Sequence, residues 1–340
     1  MEIRDDSYLS DVAVSCSIIV YNQKEWIGRC IEGVLEQEFA HTFNIVISDD
    51  CSTDGTQDVL RAYQQRYPHL IKLVLNEQNE GIAANWVSCC KALEKCRYIA
   101  FCDGDDYWSY PQKLQVQYSY MECHPECSGM TSACDEVDEH GMIIKSVGYE
   151  FDKNVQDAVL RRITQQQIWK DPIPINSGGF FFRKVIFDRA MPLEAFVEQD
   201  FPYQDWPALL IMAGYGEIRY LPISTFTYRI GHTSDSHSDD INKLERRMKR
   251  GANMYYYLHT LFSTLEYKEG TYEKYANNVL LQFCIKCNNY KKAKFYAKKI
   301  PQKTIREISC YSMATFQLYR WLKQVRRKRL VVVKSLRSTK

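Results

Sequence analysis

Three carboxylates crowd the end of an apolar run: Tyr98 to Trp108 reads Y-I-A-F-C-D-G-D-D-Y-W, with Asp103, Asp105 and Asp106 set around Gly104. Ile99 to Cys102 suits a buried strand, and acids packed at its C-terminal edge repel one another unless something positive meets them. Hard cations such as Mg²⁺ and Mn²⁺ take oxygen ligands and share them with substrate phosphates, so the spacing fits a metal-diphosphate site. It also fits an acidic turn, because Asp and Gly are ordinary turn residues. A second acidic stretch, Asp49-Asp50-Cys51-Ser52-Thr53-Asp54-Gly55-Thr56, follows the apolar run Phe43 to Ser48. Its hydroxyls and Asp54 can cap the helix that follows, whose first turn could take an anion. A further acid, Asp205, opens a helical pattern through Leu209, Leu210 and Met212; the helix dipole alone accounts for an acid in that position.

Positioning these residues is the work of alternating elements. Ala13 to Tyr21 reads as a strand apolar on both faces, ended by Asn22, and the helical pattern of Trp26, Ile27, Cys30, Ile31, Val34 and Leu35 follows. The Phe43 to Ser48 strand, a helix over Gln57 to Arg66, a strand over Ile71 to Leu75 and a helix over Ile82 to Leu93 lead to the strand that carries the three aspartates. Four strand-helix alternations in a row predict βαβ units wound right-handedly into a mainly parallel sheet. Ligands of such sheets gather beyond the strands' carboxyl ends, the edge on which Asn22, Asp49, Asp50, Asn79 and the three aspartates fall. No Gly-x-Gly-x-x-Gly follows the first strand and no Gly-Lys-Ser/Thr is present, which removes the common dinucleotide and P-loop readings.

The ordered blocks S-I-I-V-Y-N, I-V-I-S-D-D-C-S-T-D-G-T, N-E-G-I-A-A-N and Y-I-A-F-C-D-G-D-D-Y-W, spread over about ninety residues, resemble the nucleotide-sugar-binding half of the family 2 glycosyltransferases with the GT-A fold, of the bacterial polysaccharide or lipopolysaccharide type. The resemblance implies an α/β Rossmann-like sheet flanked by helices over residues 1–235, with 12–110 as the donor half and 111–235 as the acceptor half. Asp50 then recognises the donor's base, Ile19, Tyr21 and Asn22 lie along the same pocket, and Asn79 stands on its edge. Asp103 and Asp105 meet the ribose, and Asp106 is the direct ligand of Mn²⁺ or Mg²⁺. In the acceptor half, Ser177 faces the donor diphosphate beside Gly178 and Gly179, which allow close backbone approach to a ligand. Asp205 is the catalytic base, with Asp200 as its competitor. The downstream pattern of Gly216, Leu221, Tyr228 and Arg229 matches the family, Arg229 neutralising phosphate charge. His232 is a metal ligand or a diphosphate contact, although a lone histidine is as often an ordinary surface or core residue.

The rest of the chain bounds the setting. Its 340 residues hold 13 cysteines, an odd number, and no signal-peptide order opens the chain, so a cytoplasmic setting is expected. The pairs Cys123/Cys127 and Cys284/Cys287 lack partners at zinc-finger spacing and read as buried thiols. A long amphipathic helix from Ile241 begins a helical region over 236–325, and a basic tail over 326–340 closes the chain. Residues 291–340 carry 16 Lys/Arg against one Glu, so the remainder bears net charge −13 while the whole chain is at +2. Cations beside Trp321, Leu322 and Val325 suit an anionic membrane surface, on the inner face of the cell membrane; a disordered solvated end is the alternative, and no basic groove supports nucleic acid. No stretch of eighteen apolar residues is present. The expected partners are a nucleotide sugar, UDP-linked first, and a glycan or lipid-linked glycan acceptor. The rivals are a nucleotidyltransferase acting on sugar phosphates and a non-catalytic glycan-binding relative. The first would need a basic, glycine-rich loop after the first strand, where Tyr21-Asn22-Gln23 stands; the second would have lost an aspartate of the set.

Overall fold

The computed structural model describes residues 12–145, 160–170, 176–230, 240–266, 270–300 and 305–323. The chain divides into two compact units, Met1–His232 with Thr260–Leu265, and Thr233–His259 with Glu266–Lys340.

In the first unit, β1 (Val14–Val20), α1 (Ile27–Leu35), β2 (Phe43–Asp49), α2 (Thr56–Arg66), β3 (Ile71–Leu75), α3 (Ile82–Ala92) and β4 (Tyr98–Asp103) alternate as the sequence predicts. β1 is buried along its whole length, and β1 with β4 runs through the middle of the parallel half, where both sheet faces are covered by helices. The acceptor half adds β5 (Tyr107–Trp108), α4 (Lys113–Cys123), β6 (Cys127–Val137), β7 (Ile143–Lys145), β8 (Arg161–Ile163), α5 (Gln165–Lys170), a 3-10 turn over Ser177–Gly179, β9 (Phe181–Arg183), α6 (Lys184–Ala190), α7 (Leu193–Glu198), α8 (Asp205–Tyr215) and β10 (Glu217–Arg229). The sheet order is β3-β2-β1-β4-β9-β6-β10-β5, with β7 on β6 and β8 on β10. β3, β2, β1 and β4 are mutually parallel, β9 runs antiparallel to both β4 and β6, and β10 returns parallel to β6. The result is the GT-A arrangement, a largely parallel mixed sheet between helices.

Register places the chemistry. Ile19 pairs with Asp103 and Val20 with Asp49, so the ends of β1, β2 and β4 meet on one edge. β4 reaches one residue past the predicted Cys102, and Asp103 is therefore the last rung of the sheet rather than the first residue of a loop. Ile18, Ile45, Ile47 and Phe181, all fully buried, anchor the core beneath this edge, each contributing about 1.5–3 kcal/mol.

The second unit contains α9 (Ile241–Leu261), α10 (Thr271–Lys286), α11 (Tyr290–Lys299), α12 (Ile305–Ser309) and α13 (313–323). α9, the long amphipathic helix expected from Ile241, runs to Leu261, and the segment Thr260–Leu265 belongs to the first unit. A separate core of Leu280, Leu281, Cys284, Ile285, Tyr296, Phe316 and neighbours holds the helices together. All thirteen cysteines are free; Cys127 and Cys284 are buried as expected, but Cys123 and Cys287 are exposed, each lying on the outward side of its helix end. No described helix is long and apolar enough to cross a membrane.

Candidate active site

The β1, β2 and β3 ends are stitched together by side chains that accept backbone N–H groups. Asp50 is buried, and both its oxygens are taken: Oδ1 accepts from the Glu80 N–H (2.9 Å) and from Asn76 Nδ2 (3.1 Å), Oδ2 from the Gly81 N–H (2.9 Å). Asn79 Nδ2 donates to the Asp50 carbonyl at 3.3 Å. These bonds hold the loop after β3 against the end of β2 and leave Oδ2 with a single donor. Asn85 supports the loop from below, donating to the carbonyls of Val20 and Ser48 and accepting from Ser48 Oγ and Asn76 Nδ2.

Asn22, at φ 52°, accepts the Thr53 N–H and donates its own N–H to Ser52 Oγ. Asp54 accepts the Lys24 and Thr56 N–H groups and the Thr56 hydroxyl. Burial raises its pKa, but these hydrogen bonds prevail and hold it below the usual carboxylate value; the N-cap of α2 is Gly55, so Asp54 braces the loop ahead of the helix rather than capping it. Asp49 accepts from Ser52 N–H and Gln57 Nε2 through Oδ2, while its buried Oδ1 has no partner. Tyr21 stands exposed on the rim.

The β4 end is different in kind. The chain turns after Asp103 because Gly104 fits under Val20, its N–H donating to the Ile19 carbonyl at 2.9 Å. A Cβ there would lie 2.5 Å from Gln23 Oε1 and 2.9 Å from Val20 Cγ2, so only glycine passes. Asp106 is 1% exposed; its Oδ1 accepts the Arg229 N–H at 2.8 Å and its Oδ2 has no hydrogen-bond partner. Ser177 Oγ donates to Asp103 Oδ2 at 2.5 Å.

Electrostatics ties these residues to Asp205. Burial, then the Asp105 charge, then that of Asp205 push the Asp103 pKa up to about 7, against the Ser177 hydrogen bond, which lowers it. Burial and the charges of Asp105 and Asp103 push Asp106 far above the carboxylate range. The Tyr228 phenol is raised by burial and by the charges of Asp106, Asp105, Asp103 and Asp205 together. The Asp103-Asp105-Asp106 group and Asp205, at the head of α8, thus share one volume although a hundred residues separate them in sequence. The unmatched Asp106 Oδ2 is an oxygen of the type that Mg²⁺ or Mn²⁺ takes, but as placed here no three of the four carboxylates stand close enough together to share one ion; among the described residues that closeness is found for Glu126, Cys127 and Glu217.

Arg229 is placed beneath this cluster. Its Nε donates to the Asp105 carbonyl (3.0 Å), its Nη1 to the Asp138 and Glu139 carbonyls (3.1 Å each), and its guanidinium lies 5.5 Å from the Trp26 ring centroid. These bonds fix the loop that bears Asp105 and Asp106. Gly178 and Gly179 make room for the protein itself and not for a ligand: a Cβ on Gly178 would fall 2.4 Å from the Phe226 ring, and one on Gly179 2.9 Å from Ser132 N. Asp200, the competitor for the base, caps no helix and takes φ 51° after α7. His232 lies outside the described residues.

Sequence reasoning missed three supports. Lys113 is fully buried, its ammonium 4.9 Å from the Trp108 ring centroid and donating to Gln117 Oε1 at 2.7 Å; burial lowers its pKa to about 7. Gln117 in turn donates to the Gly179 carbonyl (3.0 Å), which steadies the turn that presents Ser177. The i, i+4 spacing of Lys113 and Gln117 was the available signal. The third is the setting of Tyr228, named from the sequence only as part of the pattern with Gly216, Leu221 and Arg229: its phenol stands in the field of the four acids.

A model of the family described as Glycosyl transferase family 2 matches residues 15–190. The chain is 41% identical over 103 residues to the putative teichuronic acid biosynthesis glycosyltransferase TuaG of Bacillus subtilis, covering 30% of this chain and 38% of that protein. It is 38% identical over 109 residues to the UDP-Glc:alpha-D-GlcNAc-diphosphoundecaprenol beta-1,3-glucosyltransferase WfaP of Escherichia coli, covering 32% and 41%. The chain spans roughly a third to two fifths of the length of the curated relatives it matches. Among solved structures, the mannosyltransferase PcManGT from Pyrobaculum calidifontis, in complex with GDP-Man and Mn²⁺, aligns with a TM-score of 0.53 at 14% identity over 94% of this chain and 81% of that one, a likeness of fold.

Proposed function

For a chain that belongs to glycosyl transferase family 2, we propose an inverting, metal-dependent glycosyltransferase that moves a sugar from a nucleoside diphosphate, UDP first, to an acceptor hydroxyl during cell-surface polysaccharide or lipopolysaccharide synthesis. The observation that supports this reading is the unmatched Asp106 Oδ2 at the end of β4, beside Asp103, Asp105 and Asp205, whose charges act on one another and on Tyr228. The UDP and polyprenyl-diphosphate parts lean on the name of the Escherichia coli relative, and the Mn²⁺ part on the ligands of the Pyrobaculum enzyme.

Asp205 takes the acceptor's proton as the hydroxyl oxygen attacks the anomeric carbon from the face opposite the diphosphate. The new C–O bond forms as the bond to the phosphate oxygen breaks, and its electron pair leaves with the nucleoside diphosphate. Asp106, through its unmatched Oδ2, would hold the cation, with His232 as a further ligand; Asp103, which with Asp105 the resemblance gives to the ribose, stands beside it. A bound divalent cation offsets the charge that develops on the leaving diphosphate. Asp105 meets the ribose, and Ile19, Tyr21, Asn22 and Asn79 line the nucleoside side of the pocket that Asp50 holds open. Ser177 keeps Asp103 oriented, and Arg229 holds the acidic loop from below. The acceptor proposed is a lipid-linked glycan at the cytoplasmic face of a membrane, to which the basic residues 326–340 would be drawn.

Asp205→Asn keeps the volume of the side chain but cannot accept the proton. Release of UDP or GDP from a panel of nucleotide sugars, with and without acceptor, should fall by about 10² or more in this variant. Donor affinity should stay as in the wild type. Retention of more than about a tenth of wild-type turnover removes Asp205 from the role.

A further inference from the structure

Two helices of the second unit turn apolar side chains outward with cations around them. α11 buries Ala293, Tyr296 and Ala297, so its other face presents Lys291, Phe295, Lys298 and Lys299 at the spacing of one helical stripe. Phe295 is exposed with the Lys299 ammonium 4.3 Å from its ring centroid. α13 buries Phe316 against Tyr290 (5.3 Å between centroids), and Arg320 Nε ties it to the Ile285 carbonyl at 2.8 Å. Its outer side leaves Leu318, Trp321 and Leu322 at 56, 57 and 52% exposure, a stripe at i, i+3 and i+4.

Charge decides what such a face meets. Between residues 291 and 323 the sequence has one acid, Glu307, and that carboxylate is fully buried in an ion pair with Arg306. The exposed surface of this stretch therefore offers cations and large apolar groups with no carboxylate among them. A second copy pairing through the same face would bring the same positive charge and repel it. A bilayer with anionic headgroups supplies both complements at once, phosphates for lysine and an apolar boundary for Trp and Leu.

We propose that the helical unit docks on an anionic lipid bilayer, with Leu318, Trp321 and Leu322 entering the headgroup boundary and the lysines of α11 facing lipid phosphate. The proposal rests on the membrane-borne acceptor described above and moves the contact from the 326–340 tail to folded helices.

The test is sedimentation of the full chain with vesicles of phosphatidylcholine alone or mixed with phosphatidylglycerol, in the absence of any nucleotide sugar. Wild type should bind the mixed vesicles and release in high salt. The triple variant L318S/W321S/L322S should lose at least about tenfold in partition coefficient, since buried apolar area sets much of interfacial affinity. A second variant, K291Q/K298Q/K299Q, alters only exposed side chains, leaves the core intact, and should lose a similar factor. A tail variant with Arg326, Arg327, Lys328 and Arg329 changed to Ser should keep measurable binding. Unchanged partition in both helix variants with loss in the tail variant overturns the proposal and leaves the tail reading standing. Failure of the wild type to bind anionic vesicles overturns both. A wild-type dimer by light scattering that becomes monomeric in the α13 variant, with vesicle binding unchanged, assigns the face to a second copy and likewise overturns the proposal. Sugar transfer to a soluble acceptor, measured separately, reports on the catalytic reading alone.

Discussion

One sheet edge carries two acidic sites that solve the same electrostatic problem in opposite ways. At the end of β2, Asp50 sinks its charge into two N–H groups and an amide, all within hydrogen-bond distance. At the end of β4, Asp103 receives one hydroxyl, Asp106 one backbone N–H on a single oxygen, and the acids act mainly on one another. Carboxylate charge with internal donors stabilises the fold, whereas crowded carboxylates without them destabilise it until a cation arrives. The residue type is the same; the neighbours decide which acids brace a loop and which stay crowded together.

The contrast breaks most visibly at Asp106. Asp106→Asn removes a carboxyl that folding must either protonate or hold ionised beside like charges, so the metal-free protein should gain thermal stability, while metal-dependent activity falls on the order of a thousandfold through lost stabilisation of the leaving diphosphate. Thermal unfolding with and without Mn²⁺, beside a turnover assay, checks both. A variant that loses stability and keeps its Mn²⁺ response would place Asp106 among the structural acids.

Asp50→Asn should do the reverse. Its amide NH₂ would face the Glu80 or Gly81 N–H, leaving a buried donor unmatched at a cost of about 1–3 kcal/mol. Unfolding by urea should show that loss, while the Mn²⁺-induced rise in Tm persists. Loss of the Mn²⁺ response at unchanged stability would show that the two sites are one.

The parallel half was legible because β1, β2 and β4 are mostly apolar without strict alternation, and a strand covered on both faces reads that way. Its acids were placed on the proper edge for the same reason, since strand direction fixes where side chains end up. The partners of those acids were not legible. Nothing in D-D-C-S-T-D-G-T says that Asp50 meets the amides of residues 80 and 81, because that contact depends on the path of the loop after β3. The acceptor half was harder still. β5, β7 and β8 have two or three residues each and α5, α6 and α7 six or seven, too short for a period of two or 3.6 to emerge. Lys113 was hidden because a lysine in an amphipathic helix ordinarily faces water, and here packing on Trp108 overrides that preference.

A smaller effect separates the sites by pH. Asp103 rises from 3.8 to about 7 in the folded protein, so between those values the folded state holds a proton that the unfolded chain has released. Its contribution to metal-free stability is therefore full below about pH 4 and is lost as pH climbs through 7. A cation competes with that proton, so the Mn²⁺-induced increase in Tm should grow from pH 5.5 to pH 8, with a midpoint near 7. Asp50→Asn should leave the profile in place, and Asp103→Asn should flatten it. A profile that is flat in the wild type would remove Asp103 from the metal site.

The finest test of the contrast is Ser177→Ala. The Ser177 hydroxyl is the one internal donor that Asp103 is seen to have among the described residues, at 2.5 Å, and it opposes the burial and the neighbouring charges that raise the carboxyl's pKa. Removing it makes Asp103 resemble its neighbours more closely: fewer donors, a stronger hold on the proton, a greater need for a cation. A hydrogen bond of this kind is worth about 0.5–1.5 kcal/mol, and one pH unit corresponds to about 1.4 kcal/mol, so the midpoint of the Mn²⁺ response should move upward by at most about one unit. Turnover at about pH 9.5, where Asp103 is ionised in either protein, should fall only a few-fold, about the worth of a single positioning contact. At pH 6.5 the variant should fall further behind, because there the lost donor also costs it the ionised carboxylate. If the deficit is the same at both pH values, Ser177 meets the donor diphosphate directly, as the family resemblance implies, and its bond to Asp103 exists only while no substrate is bound.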